Sequence, residues 1–314
     1  MRRFLTLVSL LLLAIPAGIS ITGCTRNPAA NYCNGLGYGL TVNEVDSMIL
    51  QPQEAGISLA YGQITQVEAP QAISCKGTTV SLGANAITYN TNKNQLVDIS
   101  PTGRICAGTW NRNTGGGIAN YTYCNLPNPL PQTCNPPGST SDCLPYGIAY
   151  VSATANSVTS NPVEVFVHAP VTAVSLVGPS ECVSQGQTAQ LDAEAYYDLN
   201  GAQTLLCAPN SSSVPSCESS IGTMTFNVGT STVASINPLT NQITAEQPGT
   251  TAITASIASS GTSAGYFSTC PPQSISVTLA NGKTAGTVTQ GVSQNLTTTV
   301  LDTNGNPITG LTLD

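Results

Sequence analysis

The chain has 314 residues, of which only 7% are charged, and its formal net charge at neutral pH is −7. Because about a quarter of the residues in an average soluble domain are charged, this composition excludes an ordinary cytosolic enzyme. The acidic balance also disfavours nucleic acid as a partner. The length fits two domains of about 100 to 150 residues with a shorter remainder.

Residues 1–23 have the pattern of an export signal. Two arginines, Arg2 and Arg3, precede an uncharged apolar run over residues 4–13, which is typical of a secretory leader. The run ends in Ile21-Thr22-Gly23-Cys24, which resembles the bacterial lipobox. That resemblance implies cleavage before Cys24 and a diacylglycerol on its thiol. The alternative is an ordinary leader, with Cys24 paired in a disulfide.

The cysteine count favours the lipid. Removing Cys24 from the 11 cysteines leaves an even number, as expected for a chain oxidised after export. Thr25 follows the cysteine, and the resemblance implies that such a residue sends the lipoprotein to the outer membrane or cell surface. Multiple acyl chains would anchor it stably to the membrane. Residues 24–40 lack useful periodicity and contain Cys33, so they are predicted to be a flexible tether.

Internal repeats organise the rest of the chain. Residues 62–69 recur as residues 186–193 with apolar and polar positions in the same alternating phase, which predicts a strand in each copy. The side chains expected to face the core are Val67 and Ala69 in the first copy, and Leu191 and Ala193 in the second. The two copies indicate two homologous domains.

Two further blocks recur in the same order. Residues 87–99 match residues 224–236, making Tyr89 and Phe226 equivalent aromatics, and residues 147–153 match residues 249–255. The last strand of each copy is expected at a run of alternating apolar residues. Those runs are Val163, Val165 and Val167 in the first copy, and Ile275, Val277 and Leu279 in the second.

These short β-branched runs, punctuated by Gly, Pro and Asn, predict an all-β protein. We expect tandem immunoglobulin-like Greek-key β-sandwiches stapled by disulfides. The predicted domains are 41–169, with a Cys-rich insertion at about 109–146, then 170–280, then the start of a truncated third repeat at 281–314. Because some 30 residues do not form a sandwich alone, we expect the chain to be part of a longer protein.

The second domain carries a family resemblance. Val233-Ala234-Ser235-Ile236, Ile243-Thr244-Ala245 and residues 249–255 resemble the bacterial immunoglobulin-like domains of group 2, found in surface proteins and intimin-like adhesins. The resemblance covers about residues 171–279, and the first domain joins it only through homology to the second. In the third repeat, residues 302–307 resemble the turn of the invasin-type variant.

The insertion is the main candidate for a binding site. Trp110, Tyr121 and Tyr123 could stack on sugar rings, since long ordered loops are often functional. The alternative is a surface loop made rigid by prolines and disulfides. In the second domain, the closeness of Cys207 and Cys217 suggests a local bridge. Cys182 and Cys270 are expected on neighbouring edges of the sandwich, so we predict that they pair as well. The connectivity in the first domain stays open.

Catalytic and metal sites are not indicated. The only histidine, His168, is expected to face solvent at the end of a strand, and it leaves no Ser-His-Asp arrangement to build. No Cys-x-x-Cys zinc pattern occurs. The runs Asp198-Leu199-Asn200-Gly201 and Asp302-Thr303-Asn304-Gly305 could hold calcium, but turn chemistry explains them more simply. No cofactor is predicted.

Three functions therefore compete. The first is a non-enzymatic cell-surface lipoprotein whose immunoglobulin-like modules form a stalk or adhesive rod, bound to the membrane through its lipid. The second is a glycan- or polysaccharide-binding module that uses the insertion. The third is a set of accessory domains of a longer enzyme. The partners expected for the first two are a surface protein or a glycan.

Overall fold

The computed structural model describes residues 31–36, 39–53, 55–83, 85–112, 119–134, 143–258 and 263–311. The leader and Cys24 lie outside the described residues. Within these ranges, no helix has both the length and the apolar character needed to cross a membrane. The described residues divide into a smaller compact unit, drawn from 31–50, 69–88 and 153–161, and a larger one that holds the remainder.

The described structure is almost entirely β. In chain order, the strands up to residue 168 are β1 (Ser47–Ile49), β2 (Ile57–Ala60), β3 (Ile64–Gln66), β4 (Gln71–Ile73), β5 (Thr79–Val80), β6 (Thr88–Thr91), β7 (Asp98–Ile99), β8 (Arg104–Cys106), β9 (Thr109–Trp110), β10 (Cys124–Asn125), β11 (Thr133–Cys134), β12 (Cys143–Leu144), β13 (Tyr146–Ala155), β14 (Val158–Thr159) and β15 (Val163–His168).

The later strands are β16 (Val171–Val177), β17 (Thr188–Gln190), β18 (Asp192–Leu199), β19 (Ala202–Cys207), β20 (Thr225–Val228), β21 (Ala234–Asn237), β22 (Gln242–Ala245), β23 (Gly249–Ser256), β24 (Ser263–Thr269), β25 (Pro272–Leu279), β26 (Leu296–Asp302) and β27 (Pro307–Ile308). One short helix, α1 (Cys217–Ser220), follows β19.

The smaller unit is built on the antiparallel sheet β1-β4-β5. Leu50 is fully buried, and its backbone exchanges two hydrogen bonds with the side-chain amide of Asn161. Cys33 is bridged to Cys75, and its N–H donates to the carbonyl of Leu40. The described part of the expected tether is therefore fastened to this unit, and the prediction of a free spacer is wrong for these residues.

In the larger unit, the two sequence repeats form equivalent backbone hydrogen bonds, each within its own repeat. The N–H of Gly62 donates to Ala107 O over 2.8 Å, and the N–H of Gly186 donates to Ala245 O over the same distance. Both glycines have positive φ, 76° and 77°, a conformation that L side chains rarely adopt. The sheets β3-β8-β7 and β17-β22-β21 are thus copies of one another.

The second repeat is a sandwich of antiparallel sheets. The sheets β16-β18-β19, β17-β22-β21 and β20-β23-β24 enclose a continuous apolar core. Leu191, Phe226, Ile253 and Phe267 are among its buried members. In the first repeat, Val67 is buried but Ala69 is exposed. Since β3 ends at Gln66, the expected inward position of Ala69 is wrong.

The closing strand of the second repeat is β24, and the expectation that it contains Ile275, Val277 and Leu279 is wrong. β24 pairs with β23 in the register Thr250↔Ser268, as β15 pairs with β13 in the register Ile148↔Phe166. Two prolines, Pro271 and Pro272, follow β24 and stop it because proline cannot donate a ladder hydrogen bond. The apolar alternation then resumes in β25, which pairs with β26 in a separate sheet, β25-β26-β27.

Candidate functional site

The insertion of the first repeat is organised by two small ladders. β9 pairs with β10, and β11 pairs with β12. A disulfide is attached to each ladder: Cys106–Cys124 links the end of β8 to β10, and Cys134–Cys143 joins β11 to β12. The described part of the insertion is therefore stapled at both of its ladders, as the structural alternative expected.

Trp110 does not present its ring to solvent. Only 4% of the residue is exposed, and its backbone N–H donates to Asp98 Oδ2 over 3.1 Å. Its ring packs edge-on against that of Tyr121, with 5.9 Å between the centroids. In this conformation, the Trp110 ring is a core group and offers no stacking platform for a sugar. The indole Nε1 is buried without a partner among the described residues.

Two arginines complete this aromatic cluster. The Arg104 guanidinium lies 5.5 Å from the Trp110 ring centroid, and the Arg112 guanidinium lies 5.7 Å from that of Tyr121, distances at which a cation is attracted to a ring face. Arg112 also forms a 2.6 Å ion pair with Asp98, and Arg104 donates to the carbonyl of Tyr121 over 2.8 Å. Beyond Arg112, the sequence has no lysine or arginine until Lys283.

Tyr123 is the member of the predicted set that faces solvent. It is 67% exposed, and two leucines further along the insertion, Leu126 and Leu130, are 58% and 51% exposed. Leu130 also lines a shallow groove of about 530 Å³ formed by residues 93–96 and 129–132. The three predicted aromatics are therefore divided: the buried Trp110 packs against the half-buried Tyr121, whereas Tyr123 is exposed.

The second repeat carries two disulfides, Cys182–Cys270 and Cys207–Cys217. They are the pairs proposed from the sequence. The first joins the segment before β17 to the end of β24, across 88 positions of sequence. The second closes a loop of 10 positions that leads into α1.

His168 is buried, so the expectation of a solvent-facing residue is wrong. It is 0% exposed, and its Nε2 lies 2.9 Å from Ser58 Oγ. Its Nδ1 lies 2.7 Å from the carbonyl oxygen of Ala169, so we assign the ring proton to Nδ1. Burial lowers the pKa of His168, an effect partly offset by the Ala169 hydrogen bond. In a catalytic triad, the histidine Nδ1 is bound to a carboxylate, whereas Nδ1 of His168 is bound to the backbone carbonyl of Ala169.

The two Asp-x-Asn-Gly runs are turns. Asp198 Oδ1 accepts the N–H of Gly201 over 2.7 Å, and Asp302 Oδ1 accepts those of Asn304 and Asn306. Gly201 and Gly305 have φ values of 85° and 80°, as such turns require. Within the described residues, no group of three or more His, Cys, Asp or Glu side chains has the arrangement of a metal site.

Comparison with known proteins gives structural matches alone. No protein-family model matches the chain, and no curated protein matches it. The S-layer protein rSbsC(31-844) aligns with 88% of this chain at 11% identity and a TM-score of 0.25, and this chain spans 33% of its length. The Escherichia coli adhesin FdeC aligns with 87% of this chain and 78% of its own at 12% identity, with a TM-score of 0.24.

A C-terminal 282-residue fragment of intimin, solved in complex with the intimin-binding domain of the translocated intimin receptor, aligns in the same way. It covers 76% of this chain and 68% of its own at 14% identity, with a TM-score of 0.21. The assignment of an immunoglobulin-like fold rests on the strand pairing described above and not on these alignments.

Proposed function

We propose that this chain is a non-enzymatic cell-surface lipoprotein whose immunoglobulin-like repeats form a stalk or adhesive rod. A lipid on Cys24 would hold it on a bacterial membrane, at the outer membrane or cell surface, and its partner would be a protein or glycan on another surface. The observation that carries the proposal is a hydrogen-bonded joint between the second repeat and the sheet that follows it.

The joint is centred on Gln185, in the turn before β17. Its side-chain Oε1 accepts the N–H of Thr309 over 2.7 Å, and its Nε2 donates to the carbonyl of Thr309 over 3.1 Å. A side-chain amide that pairs in this way with a backbone unit fixes both distance and orientation. The hairpin formed by β26 and β27 is thereby held in one pose on the second repeat.

Ser184, beside Gln185, adds further contacts. It is buried, and its Oγ accepts hydrogen bonds from the Nδ2 groups of Asn306 and Asn304, at 2.9 and 3.3 Å. Both asparagines are held by the carboxylate of Asp302. Burial raises the pKa of Asp302, but hydrogen bonds from Ser184 and from the backbone outweigh this effect, so the pKa is lowered overall. The turn therefore keeps its charge well into the acidic range.

Such a joint supports a rod, because modules joined only by a linker move relative to one another by default. A rod needs the opposite, a fixed angle at each junction. The joint is made almost entirely of neutral amides and hydroxyls, so salt should have little effect on it.

The test is small-angle X-ray scattering of the mature chain together with residual dipolar couplings across the joint. We expect an elongated particle in which β18 and β26 share one alignment tensor. The double variant Gln185→Ala/Asn306→Ala should lower the order of β26 relative to β18. Gln187→Ala is the matched control, since Gln187 is an exposed residue of the same turn. A compact wild-type particle would contradict the rod.

The anchor is tested separately. In the producing bacterium, the wild-type chain should fractionate with membranes and incorporate labelled palmitate. Cys24→Ser should abolish the label and release the chain. Label retained by Cys24→Ser would refute lipidation at this cysteine and leave the rod untouched.

A further inference from the structure

The two repeats are closed by pairs of residues in equivalent positions. In the first repeat, β15 runs parallel to β2 with Val167 opposite Leu59. In the second, an isolated parallel bridge places Thr269 opposite Val183. Ser58 precedes Leu59 as Cys182 precedes Val183, and His168 follows Val167 as Cys270 follows Thr269. Ser58 and His168 therefore occupy the places of the two half-cystines.

The bond at this position differs between the repeats. In the second repeat, it is the covalent bridge Cys182–Cys270. In the first, it is the 2.9 Å hydrogen bond between Ser58 Oγ and His168 Nε2. Both join the segment before the opening strand to the end of the closing strand, and the chain runs directly from His168 into β16 of the next repeat.

We propose that Ser58 and His168 form an acid-sensitive latch that replaces, in the first repeat, the disulfide of the second. At neutral pH, the latch closes the first repeat where it continues into the second repeat. Acidification weakens the latch, whereas the disulfide does not respond to protons in this range.

The acid sensitivity follows from the surroundings of the imidazole. The hydrogen-bond pattern makes Nδ1 the donor to Ala169 and leaves Nε2 as the acceptor of the Ser58 hydroxyl proton. A second proton would remove this acceptor and place a positive charge in a site with no exposure to water, which is costly without a partner.

The titratable groups facing the imidazole supply no negative charge. Tyr146 lies opposite His168 on β13, and Tyr61, whose N–H donates to the carbonyl of His168, follows β2. On β2, the contacting group is the neutral Ser58, and on the segment leading into β16 it is the carbonyl of Ala169. Burial raises the pKa of both tyrosines, so both are neutral at acidic and neutral pH.

The direction of the pH effect is fixed by linkage. The unfolded chain binds a proton at His168 with a pKa of about 6.5, and the folded chain does so only at lower pH. Below about pH 6.5, the unfolded state binds more protons, so stability falls as pH falls. Between the two pKa values, the unfolding constant should rise up to about tenfold per pH unit. Because the chain has one histidine, no other imidazole contributes.

The first experiment is urea unfolding of the mature chain at pH 5 and pH 7, followed by the fluorescence of the single tryptophan, Trp110. This residue lies in the first repeat, so it reports the relevant part of the molecule. Wild type should lose stability at pH 5. His168→Gln, which keeps an amide for the hydrogen bonds and cannot titrate, should lose most of that pH dependence. Ser58→Ala, which removes the hydrogen bond and leaves the imidazole buried, should keep only the part that burial supplies. Equal pH dependence in wild type and His168→Gln would overturn the proposal.

Proton NMR of the lone imidazole gives an independent readout. Its Cε1–H resonance in the folded chain should titrate with a midpoint below 6.5. A midpoint at or above 6.5 in the folded protein would overturn the proposal even if His168→Gln proved too unstable to study.

The equivalence itself is tested by Ser58→Cys/His168→Cys. After oxidative folding, we expect this variant to form a sixth disulfide, which peptide mapping of the non-reduced protein would detect. Urea unfolding at pH 5 and pH 7 should then show that the pH dependence of stability is lost. Cys182→Ser/Cys270→His is the reciprocal variant and should acquire an acid-sensitive response. If positions 58 and 168 remained free thiols in a folded chain, the positional equivalence would be refuted.

Discussion

The first and second repeats have equivalent strand pairings, but their strands are linked by different bonds. Their opening turns, glycine conformations and backbone hydrogen bonds match pair for pair. Yet the first repeat stabilises a long insertion with two disulfides and closes on a hydrogen bond, whereas the second closes on a disulfide. The comparison shows that the same strand pattern occurs with two different kinds of link between its strands.

The largest loss of stability is expected when the disulfide that closes the second repeat, Cys182–Cys270, is removed. Cys182→Ser/Cys270→Ser opens a loop of 88 positions and should cost about 4 to 5 kcal/mol of unfolding free energy on loop-entropy grounds. Cys207→Ser/Cys217→Ser, which opens only 10 positions, should cost about 2 to 3 kcal/mol. Urea titration followed by circular dichroism gives both values. Equal losses would mean that loop length does not govern these bridges.

Trp110→Ala tests whether the insertion has a core of its own. Removing a buried tryptophan should cost about 3 to 5 kcal/mol, whereas Trp110→Phe, which keeps an aromatic edge against Tyr121, should lose far less. Thermal unfolding followed by circular dichroism measures the difference. If Trp110→Ala were as stable as wild type and failed to bind a glycan that wild type binds on an array, the indole would be a ligand group and not a core group.

Arg112→Ala tests a weaker contact of the same aromatic cluster, the ion pair between Arg112 and Asp98. The Arg112 side chain is 53% exposed, so solvent screens its ion pair with Asp98, and its loss should cost about 1 kcal/mol or less. Lys93→Ala provides a control cation outside the aromatic cluster. The difference between the two variants should shrink in 1 M salt, and a difference independent of salt would show that packing of the guanidinium on Tyr121 dominates.

The last comparison concerns the turn that both repeats contain. Gly186 has a φ of 77° with open space around it, so Gly186→Ala should cost about 1 to 2 kcal/mol through backbone strain alone. Gly178→Ala, at a position without positive φ where an added methyl group meets only ordinary contacts, should be nearly neutral. Chemical denaturation of the two variants side by side checks this. A neutral Gly186→Ala would mean that the turn relaxes.

The sequence was most informative where a pattern repeats. The recurrence of residues 62–69 at 186–193 predicted the equivalent ladders, because alternation with period two fixes which face of a strand is buried. It was misleading at β25, whose apolar alternation resembles that of β15 more closely than β24 does. The preceding prolines end β24, and that signal outweighs the alternation.

Single side chains were harder to predict than strands. Whether Trp110 faces inward depends on where Asp98 and Tyr121 lie. Those positions are set by the pairings of Asp98 with Cys106 and of Trp110 with Cys124, which the repeat pattern did not reveal. The burial of His168 follows from its pairing with β2 more than a hundred positions earlier, and no local pattern encodes such a contact. A signal was nevertheless present in the sequence. When the two repeats are aligned correctly, His168 takes the position of Cys270, and Ser58 takes the position of Cys182.

The absence of lysine and arginine between Arg112 and Lys283 has a consequence for proteolysis. Proteases of the trypsin type cut only after basic residues, so the whole second repeat offers them no scissile bond, folded or unfolded. The second repeat therefore resists trypsin-like cleavage because of its sequence, whatever its folding stability. For enzymes that cut after aromatic residues, the second repeat does offer candidate bonds, among them the one after Tyr266, which is 75% exposed on β24.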